Sequence, residues 1–290
     1  MYLLFDIGGT KTRLALSSDG ETFGEFVKFD TPQDFEEGIA LIKEEAKKLC
    51  GDTKLIAAGG GVASPFNRDK TELVNSPNLP GWSGKPLKES LAEAFGVPVY
   101  LENDSAIVAL GEAHVGAGKG KEIVVYMTVS TGVGGARIVD GTIDRNRFGF
   151  EIGHQIIDID ATLCPECTVN SSVDGVSDPA NEAEELVSGT ATAIRFGKKA
   201  YEVTDPNLWE HELPRWLAVV VNNTVVHWSP DVVVLGGSMI VGDPAISVPQ
   251  TEKYLREILI FPELPEIKAA ELADIGGLHG ALVFVKQKHS

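Results

Sequence analysis

Four short stretches of the chain gather carboxylates, hydroxyls or an imidazole, three of them around glycine, and each could do chemistry on phosphate or on a polyol. Asp6-Ile7-Gly8-Gly9-Thr10-Lys11-Thr12 follows an apolar, β-prone run. A turn of this kind offers backbone N–H groups with no Cβ in the way, so that an anion can approach closely. Asp6 could hold a hydrated Mg²⁺, which prefers few carboxylates and many waters. Ser130-Thr131-Gly132-Val133-Gly134-Gly135 repeats the same physics far along the chain. Either turn alone reads first as a plain hairpin turn; two together could grip a triphosphate from both sides. Neither is a Walker loop, because GxxxxGK[ST] does not occur. Glu102-Asn103-Asp104 ends a strand-like run. A carboxylate there faces the crevice of an α/β sheet and could take the proton of an attacking hydroxyl. Taken alone, Asp104 reads first as the cap of a helix starting at Ala106. Glu151 and His154, three residues apart, could bind a polyol or could both be ordinary surface residues.

Cys164-Pro165-Glu166-Cys167 is a CxxC pair, open to a metal or to an incidental structural reading. With Cys50 it makes three cysteines, an odd and small number that argues against a disulfide framework. The net charge of −17 disfavours nucleic acid as a partner, since phosphates must be neutralised by Lys and Arg. No apolar run reaches the roughly 18 residues that span a bilayer. The N-terminus meets Asp6 at once and lacks a basic region, so it does not read as a signal peptide, and a cytoplasmic location is expected.

The elements that must carry these groups alternate between β and α. Strands are predicted at Tyr2–Phe5, Arg13–Leu16, Leu55–Gly61, Val97–Leu101, Ile123–Val129, Ala136–Val139 and Val232–Leu235. Helices are predicted at Phe35–Leu49, Leu87–Phe95, Ala106–His114, Leu217–Trp228 and Gly277–Lys286. This is an α/β protein. The strand–glycine turn–strand unit occurs twice, which predicts two related halves with a central cleft. The boundary is expected near Ser105: residues 1–104 form a small first domain, 105–274 a larger second one, and the last helix, about 275–290, packs back on the first.

In combination the segments resemble the ROK sugar kinases (repressor, open reading frame, kinase), within the actin/hexokinase/Hsp70-like ATPase superfamily. The matching runs keep family order: FDIGGTKTRLAL (5–16), GGVASPF (60–66), NSPNLPGW (75–82), ENDSAIVALGEAHVGAGKG (102–120), VYMTVSTGVGGARIVDGTI (125–143), EIGHQ (151–155), VSGTATA (187–193), VVVLGGSMI (232–240) and DIGGLHGAL (274–282). The resemblance implies two actin-like (ribonuclease H-like) ATPase domains, ATP and Mg²⁺ as donor and cofactor, and a homodimer. It implies that Asp6, Gly8, Gly9, Thr10, Lys11 and Thr12 form the first phosphate segment, that Thr131, Gly132 and Gly134 form the second, and that Gly236 and Gly237 meet the adenosine. Asp104 becomes the catalytic base. Asn78, Asn103, Glu151, His154 and Glu184 become sugar contacts, with Glu182 or Glu185 as substitutes for Glu184.

One departure concerns zinc. The family places CxCGxxGC after the histidine; here the pair is CxxC, the third cysteine is missing, and an insertion, Thr168–Ala183, intervenes. His154, Cys164 and Cys167 would leave a tetrahedral Zn²⁺ one ligand short unless Asp174 or Asp178 supplied it. The expected reaction is transfer of the γ-phosphoryl group of ATP to a hexose hydroxyl. Glucose is favoured; fructose, mannose, an N-acetylated hexosamine, or polyphosphate as donor are the alternatives. A sugar-responsive regulator is disfavoured because the first phosphate segment begins at residue 5, leaving no room for a helix-turn-helix before it. A binding protein without turnover is opposed by the intact Asp104 and both turns.

Overall fold

A computed structural model describes residues 1–164 and 181–289, and the chain divides into two compact units. The first comprises residues 1–120, 141–149 and 274–290; the second comprises 121–140 and 150–273.

The first unit is built on a five-stranded sheet in the order β3-β2-β1-β4-β5: β1 (Tyr2–Ile7), β2 (Lys11–Ser17), β3 (Phe26–Asp30), β4 (Ala57–Val62) and β5 (Val99–Asn103). The β1–β2–β3 meander is antiparallel; β4 and β5 join parallel to β1. α1 (Phe35–Cys50) starts where the Asp34 carboxylate accepts from Glu37 N–H at 3.0 Å and stops at Gly51. α1 and α2 (Leu87–Phe95) cover a core that includes Phe5, Leu14, Ile42, Leu91 and Trp82. The Trp82 indole N–H donates to the Pro32 carbonyl at 3.1 Å, so the buried ring brings no unpaired donor with it.

α3 (Asp104–Val115) belongs to this unit, so the division falls after Gly120 and not at Ser105. The reason is packing. α3 lies against the C-terminal helix Gly276–His289, and any Cβ at Gly280 would run into the Ile107 carbonyl. Two backbones that close are held together by glycine, and the helix pair cannot be split between units.

The second unit repeats the hairpin. β6 (Ile123–Val129) and β7 (Val133–Val139) are antiparallel, and strand Val232–Gly236 lies parallel to β6 on its other side, as β4 does to β1. Strand Glu266–Ala269 continues the sheet in parallel. β7 starts inside the glycine turn, three residues before the predicted Ala136. Its own core surrounds Met127, Trp209, Leu217, Val233 and Leu255. The long helix runs Leu213–Trp228, with Pro214 in its first turn, where a missing N–H costs nothing. Among the described residues no helix is long and apolar enough to cross a membrane.

Candidate active site

In the first unit the glycine turn sits between β1 and β2, in the register Ile7↔Thr12. Gly8 N–H closes it on the Lys11 carbonyl at 2.9 Å, and the Gln33 side chain donates to the Gly9 carbonyl at 2.9 Å. Asn78 packs on Gly9 so closely that an added Cβ would lie 2.9 Å from Asn78 Cβ. Thr10 and Lys11 are exposed. Lys11 is ion-paired with Asp30. Thr12 does not present its hydroxyl to the turn. It is fully buried and shares a 2.9 Å hydrogen bond with Thr31, because alternation along β2 sends its side chain inward. Any part Thr12 plays in the expected phosphate segment would fall to its backbone.

Two carboxylates stand at the strand ends. Asp6 is 15% exposed and meets Arg13 at 3.2 Å, while the other arm of Arg13 reaches Asp274 at 3.0 Å. The start of the C-terminal helix presses on Asp6: a Cβ at Gly277 would fall 2.7 Å from its Cγ. Burial, and then the nearby negative charge of Asp104, push the Asp6 carboxyl up to about 6, against the pull of Arg13. Asp104 opens α3, but Asn103 caps it, its side-chain oxygen accepting from the N–H groups of Ser105 at 3.0 Å and Ala106 at 3.3 Å. The capping task that competed for Asp104 is therefore filled by its neighbour. Asp104 Oδ1 accepts from Ser105 N–H at 2.8 Å. Burial raises its carboxyl above the ordinary range, in the direction that suits a proton acceptor. Asn103 also donates to the Ser64 carbonyl at 3.4 Å.

In the second unit the turn Ser130–Gly132 is strapped from outside. Gly189 N–H donates to the Ser130 carbonyl at 2.7 Å and Thr190 N–H to the Thr131 carbonyl at 3.2 Å. Glu184 accepts from Val133 N–H at 2.6 Å, and its carboxylate occupies the space a Cβ at Gly132 would need. The three candidate glutamates thus separate by task. Glu184 lies on the turn, Glu182 meets His154 Nδ1 at 2.6 Å, and Glu185 accepts from Glu182 N–H at 2.9 Å. Glu151 precedes and His154 ends the short helical turn Ile152–His154, which is anchored by buried Ile152. Glu151 Oε2 stands 4.0 Å from His154 Nε2. The hydrogen bond that His154 donates to Glu182, with added charge from Glu182, Glu151 and Glu184, raises the imidazole above its usual range.

A cavity of about 570 Å³ opens beside Ser130 and Thr131. Its wall includes Ala193, Ile194, Tyr201, Met239 and Pro244, an apolar lining suited to a flat heterocycle. Gly236 and Gly237 are not among its lining residues; Gly237, at φ 87°, opens the helical turn Ser238–Val241, whose Ser238 and Met239 are. Sequence reasoning missed Ile194 and Tyr201. The only signal was VSGTATA, whose serine and glycine fix the start of the helix Gly189–Phe196.

The zinc expectation rests on His154, Cys164 and Cys167, of which His154 and Cys164 are described. Cys164 is buried, 1% exposed, and packs in the core of the second unit. His154 Nδ1 is occupied by Glu182. Among the described residues no group of three His, Cys, Asp or Glu side chains could hold a metal. Cys167, Asp174, Asp178 and most of the Thr168–Ala183 insertion lie outside the described residues.

Comparison with known proteins covers nearly the whole chain. The ROK family profile matches residues 2–288. An N-acetylgalactosamine kinase from Shewanella is 27% identical over 97% of this chain and 95% of its own length. Among solved structures, a ROK hexokinase from Thermus thermophilus superposes with a TM-score of 0.80 at 27% identity, covering 100% of this chain and 99% of the other. A ROK family glucokinase from Streptomyces griseus, in complex with glucose and AMPPNP, gives 0.76 at 25% identity, over 98% of this chain and 99% of the other.

Proposed function

The chain belongs to the ROK family and is a sugar kinase with two actin-like α/β domains; from that premise we propose that it transfers the γ-phosphoryl group of ATP to a hexose, with glucose as the preferred acceptor and Asp104 as the base. The observation that carries this reading is the state of Asp104. Its helix is capped by Asn103, and burial favours its protonated form, which makes it a better proton acceptor than an exposed aspartate.

The sugar contacts proposed in the second unit are Glu151, His154 and Glu184, and those proposed in the first are Asn103 and Asn78. Asp104 accepts the proton of the attacking sugar hydroxyl as the hydroxyl oxygen bonds to the γ-phosphorus and the bond from that phosphorus to the β,γ-bridging oxygen breaks, releasing ADP. Little covalent chemistry falls to the protein in phosphoryl transfer, so positioning and charge account for most of the rate. Asp6 fits a Mg²⁺ role: it is a carboxylate whose charge is opposed by burial and by Asp104, and a bound cation would offset that penalty. When bound, Mg²⁺ would neutralise charge developing on phosphate oxygens. ATP is favoured over polyphosphate because the apolar cavity beside Thr131 would serve a base, and polyphosphate has none. Glucose is favoured by the glucokinase relative; the N-acetylgalactosamine kinase relative makes N-acetylhexosamines the next acceptors to try.

A coupled assay with ATP across glucose, mannose, fructose, N-acetylglucosamine and N-acetylgalactosamine tests the reading. The expected result is the highest kcat/KM on glucose. A higher value on an N-acetylated sugar reassigns the acceptor, and no turnover on any sugar refutes the kinase reading.

A further inference from the structure

We infer that Glu182, and not a metal, orients His154 toward the sugar. The inference rests on the sugar-kinase reading above, in which Glu151 and His154 face the acceptor. The His154 ring stands on the Ile152–His154 turn and its side chain is 59% exposed, so packing alone does not fix its orientation. Glu182 Oε2 lies 2.6 Å from Nδ1, a charge-assisted hydrogen-bond length.

The local structure is arranged to hold that carboxylate. The short strand Asn181–Glu182 pairs antiparallel with Ile156–Asp158, with Glu182 opposite Ile156, which returns a residue 28 positions downstream to the histidine. Asn181 is fully buried and donates to Asp158 Oδ2 at 3.0 Å. Glu182 N–H is held by Glu185. Its backbone is thereby tied on both sides.

A nitrogen that donates its proton to a carboxylate has no lone pair left for a metal. With Nδ1 fixed as the donor to Glu182, the other nitrogen, Nε2, faces Glu151 across 4.0 Å, too far for a direct bond. A sugar hydroxyl entering that gap could meet an imidazole nitrogen on one side and a carboxylate on the other. Such an outer partner fixes tautomer and ring angle in the way metal-bound histidines are usually fixed. Here the carboxylate acts on the ring directly, and Glu182 is a positioning residue that need not touch the sugar.

The test uses the full chain, purified without chelator. Zinc content should be under about a tenth of an equivalent; close to one equivalent, the amount for one closed site, overturns the inference. Nitrogen-15 NMR of the histidine rings, with His154 assigned by its loss in His154→Gln, should show a protonated Nδ1 that is lost in Glu182→Ala. An unchanged His154 pattern in Glu182→Ala also overturns it. In kinetics, Glu182→Ala should raise the sugar KM about fivefold, the order of one net hydrogen bond, with kcat and the ATP KM within about twofold. Glu182→Gln should recover most of that loss, because its amide oxygen still accepts from Nδ1–H. A Gln variant no better than Ala, with both folded by calorimetry, points to a merely structural role and overturns the inference. Failure of the kinase reading itself would look different: no hexose would be turned over by the wild type, and the zinc and NMR results would stand unaffected.

Discussion

The glycine turn at residues 6–12 and the one at 130–136 close equivalent hairpins, each with a parallel strand on the far side of its first strand, yet their surroundings diverge. The first is ringed by charge. Asp6, Asp104, Arg13 and Asp274 gather at the strand ends and the helix start, and two carboxyls are pushed upward by burial. The second is ringed by structure. Backbone bonds from Gly189 and Thr190 and the Glu184 carboxylate strap the turn, and an apolar cavity opens beside it. One copy of the repeated hairpin thus gathers carboxyls whose charge is opposed by burial, and the other is held by backbone and carboxylate hydrogen bonds beside an apolar cavity.

The sharpest way to break this contrast is Asp104→Asn, nearly isosteric but unable to take a proton. kcat should fall about 10²-fold or more, the usual scale for a lost general base, while calorimetry shows sugar affinity changed far less. In the wild type the acid limb of kcat/KM should lie above the ordinary aspartate range, since burial raises this carboxyl and only its ionised form accepts the proton. Near-normal turnover in the variant would take the base away from the first unit.

Asp6→Asn should separate activity from stability. An aspartate raised in the folded state to about 6 favours the fold below its unfolded value, and that advantage is lost as pH rises toward 6. Removing the charge should therefore stabilise the ligand-free protein by about 1 kcal/mol above pH 6, with no gain near pH 3, while kcat drops about tenfold or more. Thermal melts at the two pH values check the sign. A variant less stable at pH 7 would mean that Arg13 needs Asp6 more than burial penalises it.

Gly132→Val probes the strapped turn. Glycine in a phosphate turn suggests an effect confined to nucleotide. The geometry adds Glu184, whose carboxylate fills the space of the new side chain. ATP and sugar affinities should both weaken, each by about tenfold, with an unchanged melting profile. Loss of ATP binding alone would uncouple Glu184 from the turn. The smallest effect is expected for Thr12→Val. It should cost about 1–2 kcal/mol of stability for the hydroxyl of Thr31 left unpaired and leave the ATP KM within twofold. A large KM change would restore Thr12 to phosphate contact.

Much of this was legible from residue order. Leu87–Phe95 and Ile123–Val129 match their predicted bounds, and both hairpins follow from apolar runs broken by glycine. The place of Asp104 at a strand end was readable, but not whether it or Asn103 caps the helix that follows. The candidate site was less readable where several residues of one type stand together. Glu182, Glu184 and Glu185 differ by one or two positions, and spacing does not say which of them reaches His154.

By itself the sequence determined the α/β alternation, the duplicated turn and the acids at strand ends, because these depend on local propensity and on periods of 2 and 3.6 residues. Tertiary structure decided the rest. It assigned α3 to the first unit through the Gly280–Ile107 approach, turned Thr12 into the core, gave the cap to Asn103 and so released Asp104, and set Glu182 against His154 across 28 positions. Each of these depends on contacts between segments far apart in the chain or on competition between neighbours for one hydrogen bond, and neither is encoded in the spacing of residue types.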